Sequence, residues 1–110
     1  MRQSQTTVLE RNTEWMGTFA TEPYEAAWAT EALFFVRVLS AEGDVDNTTA
    51  RVQISPDGMH WCDEGGELTF SVEEKVTFCR VSHFGGWLRL AGELPAGASA
   101  KVIVYLTLKE

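Results

Sequence analysis

The sequence predicts an all-β protein: a two-sheet antiparallel sandwich of about eight strands, jelly roll or immunoglobulin-like in its connections. Three observations predict it. Short segments rich in Val, Ile, Phe, Tyr and Thr alternate between apolar and polar residues, as half-buried strands do. Clusters of Gly, Pro, Asn and Asp separate them at spacings of about eight to twelve residues. No segment of helical periodicity reaches usable length. The run from Val52 to Trp61 shows strand, turn and return in one stretch. Val52 and Ile54 face one way, and Arg51, Gln53 and Ser55 the other. Pro56 presets a negative φ, Asp57 bonds its own backbone, and Gly58 accepts a positive φ. Trp61 then falls where it can cover the hairpin.

The chain has 110 residues, enough for one domain with a real core. Residues 1–15 read as a polar N-terminal arm, and 16–110 as the sandwich. Within the arm, Thr6 to Arg11 has edge-strand character, with Val8 and Leu9 as apolar docking groups. Trp15 to Phe19 begins the body. Pro23 breaks the chain around Glu22 to Glu25, because it cannot donate to a ladder. Ala26 to Thr30 reads as a short strand or a turn of helix. Ala32 to Ser40 is the strongest strand. Leu33, Phe35 and Leu39 line one of its faces, interrupted by Arg37, and Phe34, Val36 and Val38 line the other. Apolar character on both faces predicts cover on both sides.

A polar loop spans Ala41 to Asn47, and the hairpin follows with strands Thr49 to Ser55 and Met59 to Cys62. Glu64 to Glu67 reads as a turn around Gly65-Gly66. Leu68 to Val72 and Lys75 to Ser82 read as strands, and Phe84-Gly85-Gly86 as a flexible corner. In Trp87 to Ala91, Leu88 and Leu90 point inward, with Trp87 and Arg89 outward. Glu93 to Ala98 is a loop. In the closing strand, Lys101 to Lys109, Val102, Val104, Leu106 and Leu108 alternate with an outward set that includes Ile103 and Tyr105.

Composition narrows function by exclusion. The net charge is −7, and the nine basic residues are scattered. That argues against nucleic acid and against acidic membrane surfaces, which need clustered Lys and Arg. The longest apolar run, Leu33 to Val36, is far short of a membrane span. The polar start without an apolar leader segment predicts a cytoplasmic or virion/particle-associated protein. In that setting Cys62 and Cys79 are expected as two reduced, buried thiols, although a cross-strand bridge between them is geometrically open.

His60, Cys62, Cys79 and His83 match no zinc spacing. The loop carboxylates Asp44 and Asp46 with Asn47, and Asp57, Asp63 and Glu64 near the hairpin, are of the type that holds calcium. The first loop lacks the Gly and the Glu of an EF-hand, and a solvated loop is the expected reading. His83 follows Ser82 on a strand, so the two face opposite ways and form no dyad. No nucleophile elbow, phosphate loop or dinucleotide fingerprint is present. Glu73-Glu74 and Asp63-Glu64 read as surface-turn pairs rather than facing carboxylates. No metal, no cofactor and no enzymatic activity are expected. A cupin-like enzyme would need a cluster of His and Glu inside the sandwich, and two separated histidines argue against one.

The string Ser55-Pro56-Asp57-Gly58-Met59-His60-Trp61 resembles the S-x-D-G-x-x-W hairpin of small β-sandwich modules, both discoidin-like or carbohydrate-binding domains and small phage and virus-like structural proteins. Phe84 to Leu90 and the closing strand from Ala98 to Leu108 are similar to the later parts of those modules. The resemblance implies a binding or assembly module rather than an enzyme. It leads to a non-enzymatic, self-associating structural subunit, as of a capsid, tail or decoration particle. The partner is then another copy or another particle subunit.

The interface candidates are Val8, Leu9, Arg37, Trp87, Ile103 and Tyr105. Arg37 must pair with a carboxylate of its own chain or of a neighbour. Of the four tryptophans, at 15, 28, 61 and 87, Trp87 is the outward candidate beside Gly85-Gly86. The alternative is a carbohydrate- or small-ligand-binding module that stacks its ligand on Trp87.

Overall fold

In the computed structural model, which describes residues 3–46, 48–74 and 76–110, the alternating segments pair into two antiparallel sheets. The strands among the described residues are β1 (Ser4–Met16), β2 (Thr18–Ala20), β3 (Tyr24–Glu25), β4 (Glu31–Glu42), β5 (Thr49–Ser55), β6 (Cys62–Thr69), β7 (Val76–Ser82), β8 (Trp87–Glu93) and β9 (Ser99–Lys109). The front sheet runs β1-β9-β4-β7. The back sheet runs β2-β8-β5-β6, with β3 also on β8. The pairs nest: β1 with β9, β2 and β3 with β8, β4 with β7, β5 with β6. A long hairpin rolled onto itself produces this order, which is that of a jelly roll rather than of an immunoglobulin sandwich. Taking β2 and β3 as one edge strand broken at Pro23 returns the expected eight.

Period-two burial builds the core. Val102, Val104, Leu106 and Leu108 of β9 are buried, as are Ala32, Phe34 and Val36 of β4. From the back sheet, Val52, Leu68, Leu88 and Leu90 meet them. Each such side chain contributes about 1.5–3 kcal/mol on removal from water. At one end three aromatic rings close the gap between sheets. Trp15 stacks on Phe19 with centroids 4.1 Å apart, and Phe70 lies 5.7 Å from Trp15. Gly92 makes room for this cluster, since a Cβ there would lie 2.8 Å from Phe19 Cζ and 3.0 Å from the Thr49 carbonyl oxygen.

Several expectations are corrected. The segment expected as an arm, residues 1–15, contributes the body of β1, and the boundary at 15/16 falls inside that strand. β1 is held along nearly all of β9, from Ser4↔Lys109 to Met16↔Ser99, and its Trp15 belongs to the core. Backbone pairing on a long neighbour supplies what its sparse apolar content does not. Glu64 to Glu67 is not a turn but the middle of β6, where Gly65 (φ 111°) accompanies a register shift against β5. A glycine pair inside a strand marks a bulge as readily as a turn. Ala26 to Thr30 forms a turn closed by the Ala29 amide on the Ala26 carbonyl, while Tyr24–Glu25, read as a break, pairs with β8.

Candidate interaction face

Cross-strand partners share a face of their sheet, so the register gives the outer surface of the front sheet residue by residue. One rung runs Val8, Tyr105, Phe35, Phe78 across all four strands. The next holds Ile103, Arg37 and Val76, and the rung on the other side holds Thr6, Thr107, Leu33 and Arg80. Leu39 sits at the β4 bulge beyond Arg37. The result is a continuous apolar stripe. Val76 and Phe78 are 46% and 48% exposed, and Leu39 is 38% exposed. Phe35 and Phe78 touch in a tilted pair with centroids 5.9 Å apart, and the Arg80 guanidinium lies 5.2 Å from the Phe78 ring centroid.

Charged residues rim the stripe. Arg80, Lys101 and Lys109 are the rim's cations, and Glu14, Glu31 and Glu42 its carboxylates, at cross-strand positions, while Arg37 stands within the stripe between Ile103 and Val76. Both signs are present on this face of a chain whose net charge is −7. Arg37 is exposed and forms no salt bridge among the described residues.

Four of the six sequence-derived interface residues therefore meet on one surface: Val8, Arg37, Ile103 and Tyr105. Leu9 does not join them. It follows Val8 at a register shift and turns into the core. Trp87 lies on the other sheet. Its ring packs over the turn after β5, so that a Cβ at Gly58 would sit 3.2 Å from two of its ring atoms. It points outward from β8 as expected, but it is the cover of a hairpin rather than an open platform. Phe35, Val76 and Phe78 complete the stripe and were not singled out. Their alternation was visible in the sequence, but the adjacency of β7 to β4 was not.

The back sheet's outer surface carries a polar network with Trp61 against it, under a turn whose Met59 is 74% exposed. Arg89 donates from Nε to Gln53 Oε1 at 2.7 Å, and its guanidinium lies 4.3 Å from the Trp61 ring centroid. Desolvation holds the Arg89 pKa below its ordinary value. Gln53 Nε2 donates to Asp63 Oδ1 at 3.0 Å, and Arg51 Nε lies 3.6 Å from the same oxygen.

The turn between β5 and β6 is held by its own side chains. The amides of Asp57 and Gly58 donate to Ser55 Oγ at 3.2 and 2.8 Å. Asp57 Oδ1 accepts from the Met59 and His60 amides at 2.8 and 2.9 Å, and from the Ser55 hydroxyl at 3.0 Å. Asp57 Oδ2 lies 2.7 Å from His60 Nδ1. The His60 amide first, then its ring and the Met59 amide, hold the Asp57 carboxyl well below the usual carboxylate range. Ser, His and Asp thus meet, but the serine bonds the aspartate and not the imidazole. This is turn capping, not the order of a nucleophile, a base and its orienting acid.

Both cysteines are free. Cys62 is exposed rather than buried, a correction that follows from its place at the start of the edge strand β6. Cys79 is buried under the front sheet, and burial pushes its thiol up to about 11. His60, Cys62, Cys79 and His83 form no metal-holding cluster among the described residues, and neither do the carboxylates of the Asp44–Asp46 loop. Among these residues no helix is long and apolar enough to cross a membrane. Compared with known proteins, the chain matches no family model, and no curated protein matches it in sequence.

Proposed function

We propose that this protein is a non-enzymatic, self-associating structural subunit, and that a second copy covers the outer face of its front sheet. The apolar stripe from Val8 through Tyr105 and Phe35 to Phe78 carries the reading. Monomeric proteins seldom leave a contiguous patch of such side chains in water. Its arrangement, an apolar centre inside a charged rim, is that of a protein interface.

Charge selects the occupant. Two copies of an acidic chain repel through most of their surfaces, whereas this face offers cations and carboxylates that can pair with their own counterparts across a two-fold axis. The polar network and covered Trp87 of the back sheet offer no comparable surface, which favours assembly over sugar stacking.

The test is molar mass by light scattering over a concentration series reaching the high micromolar range, for wild type and Tyr105→Glu. Self-association by wild type and its loss on placing a carboxylate at the stripe's centre are expected. A wild-type chain that stays monomeric throughout overturns the reading.

A further inference from the structure

The four sheet edges of this sandwich differ in one respect. An unpaired edge strand invites another chain, and proteins blunt such edges with bulges, charges, proline or shortness. β1 carries two register shifts and a positive φ at Asn12. β6 carries a register shift, the Gly65-Gly66 pair and three carboxylates. β2 and β3 are three and two residues long and separated by Pro23. Of these devices β7 carries only one charge, Arg80. Its seven residues, Val-Thr-Phe-Cys-Arg-Val-Ser, contain no Gly, Pro or carboxylate and keep unbroken register with β4 from Ser82 to Val76. No strand pairs with its other side among the described residues.

A second observation lies on the same strand. The Thr77 hydroxyl is buried and has no hydrogen-bond partner among the described residues. Elsewhere this protein pairs threonines across strands, Thr6 with Thr107 at 2.9 Å and Thr49 with Thr69 at 3.5 Å.

We infer that β7 pairs antiparallel with β7 of a second copy across a two-fold axis at Thr77, joining two four-stranded front sheets into one of eight strands. In this register the two Thr77 side chains become direct cross-strand neighbours on the inner face of the sheet, the relation that Thr6 and Thr107 hold within one chain. Val76 of each copy lies beside Phe78 of the other, which runs the two apolar stripes together. Arg80 comes opposite Glu74, the exposed turn residue two positions before β7, so the pairing is charge-complementary at both ends. This goes beyond the face-to-face contact proposed above. The edge axis is normal to the sheet and the face axis runs parallel to it, and where the two axes intersect they close a tetramer of D2 symmetry.

The experiment measures the full chain's mass for wild type, Glu74→Arg, which sets like charges opposite each other at both ends of the β7 pair and lies outside the face stripe, Tyr105→Glu and the double variant, with circular dichroism confirming the fold. Wild type is expected as a tetramer, each single variant at half that mass, and the double variant as a monomer. In parallel, Thr77→Cys in a Cys62→Ser background is expected to form a disulfide-linked dimer under mild oxidation, and Arg80→Cys in the same background is not.

An assembly whose mass Glu74→Arg leaves unchanged, with no cross-link through position 77, overturns the β7 inference while the face reading stands. An assembly that Glu74→Arg halves and Tyr105→Glu does not touch keeps the β7 pairing and overturns the face reading. A wild-type monomer at every concentration, with no cross-link, overturns both.

Discussion

The outer faces of the two sheets end in opposite states. On the back sheet, Arg89, Gln53, Asp63 and Arg51 bond one another, Trp61 lies against Arg89, and Trp87 packs on the turn at Gly58. The chain covers this face with its own hairpin. On the front sheet, Val8, Tyr105, Phe35 and Phe78 stand in a row, and among the described residues no segment lies over them and Arg37 beside them makes no ion pair. The difference is one of where a loop falls. The turn from residue 56 to residue 61 folds back over β5 and β8, whereas among the described residues nothing comparable crosses β4 and β9. A face that the chain itself covers contributes to folding, and a face it leaves bare contributes to association.

That contrast divides substitutions into two classes, read at low concentration, where dissociated protein isolates folding from assembly. The largest effect belongs to Gly58→Val. It places a β-branched residue at φ 80° and drives its Cβ toward Trp87, 3.2 Å away. A loss of about 3 kcal/mol is expected, the upper end for a strained backbone placement. Denaturant unfolding measures it, and an unchanged midpoint would break the claim that this turn holds the back face.

Trp87→Ala comes next. It uncovers the same turn, and because the ring is only partly buried, a cost of about 2 kcal/mol is expected, below that of a fully enclosed tryptophan. The mass of the assembly should not change. A Trp87→Ala variant that folds as well as wild type but dissociates would move the interface to the back sheet.

Asp57→Asn tests the turn through pH. The Asp57 pKa is depressed in the folded state, so the carboxylate stabilises the fold above the ordinary carboxylate range. That stabilisation is lost as pH falls through the depressed value. The gap in melting temperature between wild type and Asp57→Asn should therefore be widest near neutrality and close in strong acid. A gap of constant size across that range would mean that shape rather than charge holds the turn.

The smallest effect on folding is expected for Phe78→Ser, at the exposed end of the front stripe. Surface changes of this kind stay within about 0.5 kcal/mol. The assembled fraction, in contrast, should fall clearly at every concentration. A large loss of monomer stability would show that Phe78 serves the fold rather than a partner.

Much of the architecture was legible in the residues themselves. The inward set of β9, the two-sided alternation of β4 and the turn chemistry of Ser55 to Gly58 depend on neighbours within a few positions, where side-chain period and backbone preference act directly. The site was legible only in part. Val8, Arg37, Ile103 and Tyr105 could be named as outward residues of separate strands, but nothing local said that they adjoin one another, or that Phe35 and Phe78 lie between and beside them. Nor could the residues say that 4–16 is a strand, since β1 is held by pairing with the far end of the chain, or that Gly65-Gly66 bulges a strand instead of reversing it. The sequence by itself determined which side chains avoid water and where the chain can turn. Only the tertiary structure decided which strands are neighbours, which face the hairpin covers and which edge is left open, because those outcomes rest on pairings between residues distant along the chain.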